Sequence, residues 1–356
     1  MTTADPNFDA EREARRERRF AAITKADTWF RVLGLAWITP VLRIGAGDNP
    51  RAQMGEIWRL LGVPVLAILG FLVLWGTLAP QVQTSLGAIP GPAQVWDQAQ
   101  NLHADHLRQM ERAADFYARQ DERNAERIAA GDEPRYREFT GAPTFYSQIW
   151  TSIRTVFFGF LLATVIAVPL GIMAGLSQTA NAALNPLIQV FKPVSPLAWL
   201  PIVSIVVSAV YATDDGWFEK SFLVSAITVT LCSLWPTLIN TALGVASIDK
   251  DLVNVSKVLK MGTWTKIRKL VLPSALPLIF TGLRLSLGVG WMVLIAAEML
   301  AQNPGLGKFV WDEFQNGSSD SLGRIMVAVF TIGIIGFLLD RLMFTIQSLF
   351  TFTNNR

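Results

Sequence analysis

The chain has two histidines, His103 and His106, which at i, i+3 could share one face of a helix. With Asp97 and Asp105 close by, the pair could hold a surface metal ion or stand as two solvated imidazoles. With no other histidine, a Ser-His-Asp or Cys-His centre finds no support. Cys232 is the one cysteine and lies in an apolar run, which excludes an intramolecular disulfide and a Cys-based zinc cluster. Gly305-Leu-Gly-Lys308 has the outline of a phosphate loop. However, Phe309 follows the lysine where Ser or Thr would hold magnesium, and Gln302 occupies the place of the first glycine. Gly288-Val-Gly290 lacks its third glycine, because position 293 is valine. No catalytic residue and no metal site is therefore assigned.

Charged residues inside apolar runs are costly in lipid and so point to function or to specific pairing. Arg284 falls near the middle of one such run and Glu298 near its end. Fourteen residues of helix separate them by about 21 Å, so they cannot pair within that helix. Arg284 must meet a carbonyl, a carboxylate of another span, or an anion in a water-filled path. Arg154, at the mouth of an earlier run, poses the same alternatives. Arg154, Arg284 and Glu298 are the candidates for a translocation path.

The elements that must carry these residues are membrane spans. Of 356 residues, 51% are apolar and 17% charged, and the mean hydropathy is +0.35. Soluble domains are richer in charge. The formal balance of +3 is no nucleic-acid footprint. Leu60–Leu78 is free of charge and long enough to cross, at about 28 Å of helix. Five further apolar blocks run over Val156–Leu176, Pro193–Tyr211, Phe222–Ala246, Val271–Leu300 and Ile325–Phe350. Val32–Leu42 is too short to span and reads as an interfacial helix, with Trp29 and Trp37 at headgroup level. Residues 80–148 are polar, and Glu111–Glu126 reads as a charged, solvated helix.

Residues 1–59 hold ten Lys/Arg against eight Asp/Glu, with Arg12, Arg15, Arg16, Arg18 and Arg19 bunched early; no apolar core of a cleavable leader follows. Ser247–Leu270 holds six Lys/Arg against two Asp, whereas Thr213–Lys220 and Ala301–Gly323 are acidic. Basic short loops mark the cytoplasmic side. Six spans with both termini inside satisfy every loop. The expected order is a cytoplasmic tail with the interfacial helix (1–59), a first span (60–79), a periplasmic polar loop (80–148), a five-helix core (149–350) and a short cytoplasmic tail (351–356). Small residues recur at Gly282, Ser286 and Gly290 and at Gly171 and Gly175, which permits tight helix packing or lines a path.

The core contains the loop 247–270, SIDKDLVNVSKVLKMGTWTKIRKL. Leu252, Val255, Val258 and Leu259 lie on one side of a short helix, with Lys250, Lys257 and Lys260 around the other. An apolar face outside the membrane must be buried, either on the bundle itself or in a groove of a partner.

This loop resembles the EAA loop of ABC-importer permeases, whose pattern is Glu-Ala-Ala, three residues, Gly, and then Leu-Pro. Counting back from Leu272-Pro273, Asn254, Val255 and Ser256 take the Glu-Ala-Ala places and Lys260 takes the Gly place; Trp264 stands where such permeases often carry Trp. The runs Ser195–Ile202 (SPLAWLPI), Pro273–Leu300, Gly305–Gly307 and Trp311–Phe314 (WDEF) are similar to the nitrate/sulfonate/bicarbonate branch, nearest its nitrate and bicarbonate permeases. With Asn254 and Lys260 in place of Glu and Gly, neither the Glu contact nor the Gly turn carries over. Gly262 is expected to supply the turn instead.

The resemblance implies an all-α membrane protein with the type I ABC importer permease fold, working by alternating access on a small anion, nitrate first. The ATPase-coupling residues it implies are Asn254, Val255, Ser256, Val258, Leu259, Lys260, Gly262 and Trp264, on a rigid helix from Asn254 to Trp264. It further implies no cofactor in this chain, with ATP and Mg on partner ATPase subunits. A periplasmic substrate-binding protein, a second permease copy as homodimer and a bacterial inner membrane complete the expected setting. Bicarbonate and alkanesulfonate or taurine are the alternative cargoes. Two rivals differ in class. An ion-coupled carrier would relay through Arg284, Glu298 and Asp340, and a membrane enzyme would use His103 and His106.

Overall fold

The computed structural model describes residues 17–27, 30–31, 34–84, 87–211, 218–318 and 320–350. The chain divides into two units, residues 1–79 with 338–356, and residues 80–337.

In the first unit, helix α1 (Ile38–Gly45) covers the end of the expected interfacial segment; Trp29 and the residues before Gly34 that carry its start lie partly outside the described residues. Asp27 accepts hydrogen bonds from Thr39 Oγ1 at 2.6 Å and Arg31 Nε at 2.7 Å. The expected first span is part of a longer helix, α2 (Pro50–Gln81). Asn49 caps it through the Arg51 N–H. One wide π turn over Trp58–Gly62 precedes Pro64, a residue that lacks an N–H and crowds the carbonyl four places back.

In the second unit a two-residue hairpin (Gln83–Thr84, Gly87–Ala88) leads into α3 (Pro92–Ala129), far longer than the charged stretch read from the sequence. Then follow α4 (Phe145–Leu176), α5 (Gln178–Phe191), α6 (Pro196–Val210), α7 (Lys220–Ala246), α8 (Lys250–Val258), α9 (Thr263–Ala301), α10 (Leu306–Asn316) and α11 (Ser321–Phe350), whose end belongs to the first unit. Among the described residues five helices (α2, α4, α7, α9 and α11) are long and apolar enough to cross a membrane, and six spans result if α5 and α6, bent by 102°, count as one.

That bend revises the block Pro193–Tyr211. It is the second limb of a broken pair, started at Ser195, whose Oγ accepts the Leu197 N–H at 3.3 Å. The limb has 15 residues, about 22 Å of helix and short of a full span.

The core is built around α7, which packs on α4 and α9. Backbones approach closely there. A Cβ on Gly159 would lie 2.7 Å from Ala226 O, and one on Gly282 would lie 2.9 Å from Thr237 Cα. Gly171 and Gly175 face Thr241 and Val245 in the same way. The glycine stripes of α4 and α9 thus serve helix packing, where lipid supplies no hydrophobic drive. Pro236 interrupts the ladder of α7, and the neighbouring Thr237 N–H donates to Ser286 Oγ of α9 at 3.0 Å.

Candidate functional site

The loop between α7 and α9 folds as a helix, a turn and a second helix. Asp249 Oδ1 caps α8 through the Asp251 N–H at 2.9 Å. The helix ends in a two-bond turn: Met261 N–H donates to Ser256 O and Lys260 N–H to Lys257 O, each at 3.0 Å. This Schellman pattern needs a left-handed residue after the cap, and Lys260 supplies it at φ 49°. The expectation for Gly262 is therefore corrected. Gly262 has φ −63° and extended ψ, and it opens α9. The expected continuous helix from Asn254 to Trp264 is likewise two helices broken at Lys260, because the left-handed residue ends α8.

Leu252, Val255, Val258, Leu259 and Trp264 are all exposed, Val258 at 81% and Trp264 at 75%. Asn254, Lys260 and Gly262 are exposed with them. Ser256 departs from the expected set, since it is buried and its Oγ donates to Val253 O at 2.6 Å. Among the described residues, then, the apolar face of α8 is left uncovered, while Ser256, about a quarter-turn round the helix from the centre of that face, is buried. From Thr263 the chain runs directly into the span of α9 through a π turn at Ile267–Val271 ahead of Pro273.

The three path candidates separate. Glu298 is fully buried and held in place. Ser152 Oγ lies 2.9 and 2.8 Å from its two oxygens, the Gly307 N–H donates to Oε2 at 2.9 Å, and Asn303 Nδ2 approaches Oε1 at 3.5 Å. Ser152 Oγ in turn accepts the Leu306 N–H at 2.8 Å, and Asn303 Nδ2 donates to Thr155 Oγ1 at 3.2 Å. Glu298 thus ties the Gly305–Gly307 turn to α4 and is enclosed within the chain, a link the sequence did not show. Its neighbours signal it only afterwards: a Cβ on Gly305 would strike the Glu298 carboxylate, and one on Gly307 would strike Ile295 O. Arg154 is exposed and sets its guanidinium 4.9 Å over the Phe222 ring. Arg284 is half-buried on α9, on the same helix as Glu298 and about 21 Å along it.

The histidines serve as a clasp between α3 and the start of α4. His103 Nδ1 lies 3.1 Å from Tyr146 Oη and His106 Nδ1 lies 3.0 Å from Thr144 Oγ1. Nearby, Glu313 of the WDEF run accepts from Ser321 Oγ at 2.8 Å and Arg324 Nη1 at 3.2 Å, and Arg324 also reaches Asp105 of α3 at 3.4 Å. A cavity of about 570 Å³ opens beside this network, lined among others by Arg108, Arg112, Phe145, Phe309 and Arg324.

The apolar helices α4, α6 and α9 pack on α7, and a short exposed helix leads into α9, the longest of the described apolar helices, an arrangement suited to a membrane-spanning bundle. Residues 167–351 match the family described as binding-protein-dependent transport system inner membrane component, and the chain belongs to that family. It has the type I ABC importer permease fold and is a membrane transport subunit, and its relatives include permease proteins named for nitrate and for bicarbonate transport. It is 36% identical over 216 residues to the nitrate import permease protein NrtB of Leptolyngbya laminosa, covering 61% of this chain and 72% of that one. It is 33% identical over 306 residues to the bicarbonate transport system permease protein CmpB of Synechococcus elongatus, covering 85% and 94%. In fold it is similar to a chain of the inward-facing MetNI methionine ABC transporter, with a TM-score of 0.50, 16% identity, and coverage of 58% of this chain and 96% of that one.

Proposed function

We propose that this chain is the membrane-spanning subunit of an ATP-driven nitrate importer in a bacterial inner membrane, with both termini in the cytoplasm. The observation that carries the coupling part is the uncovered apolar face of α8, Val255, Val258 and Leu259, with Trp264 beside it. Such a face in water fits a groove on a partner. Family membership makes that partner an ABC ATPase.

In this reading two copies of the permease enclose the path, a periplasmic binding protein delivers the anion, and ATPase subunits holding ATP and Mg close below. The chain's own part is mechanical. Asp249 and the Lys260 turn fix the shape of α8, so a push on its apolar face is not absorbed by fraying. The helix connection through Trp264 carries that push into α9, whose buried side packs on α7. Arg154 and Arg284 favour anions in general, while the binding protein makes the finer choice.

Bicarbonate is the second reading, favoured by the alignment to CmpB, which spans most of both chains. Uptake of nitrate and of bicarbonate by cells carrying the complete transporter, each challenged with the other anion, separates them. Nitrate uptake that excess bicarbonate leaves unchanged supports the first reading. Bicarbonate uptake indifferent to nitrate replaces it with the second.

A further inference from the structure

The extended chain that returns from α3 lies along that helix on a ladder of side-chain bonds. Asn124 Oδ1 accepts the Arg135 N–H at 2.9 Å and its Nδ2 donates to Arg135 O at 3.1 Å. Gln120 Oε1 accepts the Arg137 N–H at 2.7 Å, and Tyr117 Oη accepts the Phe139 N–H at 3.2 Å. Asn124 and Gln120 are buried at 4% and 6% exposure, so this is built structure rather than a loose loop. The register works because two extended residues advance about 6.6 Å, close to one turn of the helix beside them.

The ladder brings four arginines to one groove. Arg123 and Arg127 stand one turn apart on α3, Arg135 and Arg137 come from alternate positions of the returning segment, and Phe116 completes the wall of a cavity of about 330 Å³. Six carboxylates occur between residues 116 and 139, yet none lines the groove. Arg127 Nε is engaged by Glu133 O at 3.0 Å and its Nη2 lies 3.9 Å from Asp132; Arg123 Nε donates to Arg119 O. Among the described residues no ion-pair partner meets the guanidinium of Arg135 or Arg137. Residues 80–148 hold seven arginines and no lysine, and arginine is the side chain whose planar fork grips oxyanions through paired N–H groups.

We propose that this groove binds an oxyanion of phosphate or sulfate type, carrying two or more negative charges. A monovalent ion would leave most of the repulsion among four guanidinium groups in place. The groove is also larger than a nitrate-sized ion needs, at the lower end of small-molecule sites. The proposal stands on the segment outside the spans and does not depend on which anion crosses the membrane.

The test is calorimetric binding to the full chain in maltoside detergent, with inorganic phosphate, sulfate, nitrate and bicarbonate as probes. Phosphate and sulfate bind more tightly than nitrate or bicarbonate, and both Arg135→Gln/Arg137→Gln and Arg123→Gln/Arg127→Gln weaken them by about tenfold or more. The Gln pair on the returning segment keeps the ladder, whose bonds there are to backbone, so loss of folding does not confound it. Arg135→Lys/Arg137→Lys gives an intermediate affinity, charge being kept and the fork lost. Glycerol phosphate binding more tightly than inorganic phosphate assigns an esterified ligand, and the reverse order assigns the free ion. The proposal is overturned if neither divalent anion binds, or if binding survives both Gln pairs. It is equally overturned if these variants weaken only the docking of an acidic protein such as the binding protein.

Discussion

Ser152 Oγ on α4 sits 2.9 and 2.8 Å from the two carboxylate oxygens of Glu298 on α9, across 146 residues of chain. The same hydroxyl oxygen accepts the Leu306 N–H, so one side chain joins two spans and the turn after them. Removing it leaves a buried carboxylate oxygen and a buried N–H short of a partner. Ser152→Ala should therefore destabilise the chain by about 1–3 kcal/mol. The midpoint of thermal unfolding in detergent reads this. A midpoint equal to wild type would mean the knot carries no stability.

The turn on the far side of the carboxylate makes a matching demand. A methyl group at Gly305 or Gly307 collides with the Glu298 carboxylate or with Ile295 O. Either Gly→Ala change should cost about 1–3 kcal/mol by overpacking. The same unfolding measurement should rank both below the wild type, whereas Gly288→Ala, with open space around it, should leave the midpoint in place.

At the end of α8 a lysine occupies a left-handed backbone position, φ 49°. Lys260→Gly should relieve about 1–2 kcal/mol of conformational strain, less the entropy that glycine loses on ordering. Lys260→Val, β-branched at positive φ, should fray the turn. Hydrogen exchange at the Met261 and Lys260 amides distinguishes them: slower than wild type for Gly, faster for Val. Equal exchange in both variants would contradict the assignment of the turn.

What the sequence revealed follows from what lipid enforces. A run of about twenty apolar residues has few other uses, so α7 and α11 could be read at nearly their full extent and the apolar parts of α4 and α9 with them, while the more polar first turns of those two helices, Phe145–Thr155 and Thr263–Leu270, were not. The helix α5 escaped notice because QTANAALNPLIQVF is too polar and too short to register as a span, and its bend against α6 depends on packing rather than pattern. The candidate site was legible in part. The periodicity of Leu252, Val255 and Val258 marked the exposed face, and a charged residue within a span marked Glu298 as costly. Neither signal could show that Ser256 turns inward, that Lys260 rather than Gly262 makes the turn, or that the partner of Glu298 is a serine in another span. Those facts depend on backbone φ and on contacts between residues far apart in the chain.

Packing between α4 and α7 leaves no room at Gly171, where a Cβ would lie 2.6 Å from Thr241 Cβ and 2.8 Å from Leu238 O. Gly171→Val should part the two helices and sharply lower the yield of folded protein from membranes, because small residues are what allow the approach. Gly70→Val on α2, with nothing near its Cβ, is the control expected to accumulate normally.

The central claim is that α8 couples the permease to an ATPase through Val255, Val258 and Leu259. Co-purification of the detergent-solubilised chain with its ABC ATPase subunit, wild type against Val255→Asp, tests it most directly. The account predicts a stable complex that the introduced charge abolishes, while the unfolding midpoint stays at the wild-type value because Val255 is exposed. A complex that survives the charge, or no complex with the wild-type chain, would contradict the coupling role and move an ion-driven carrier to the front.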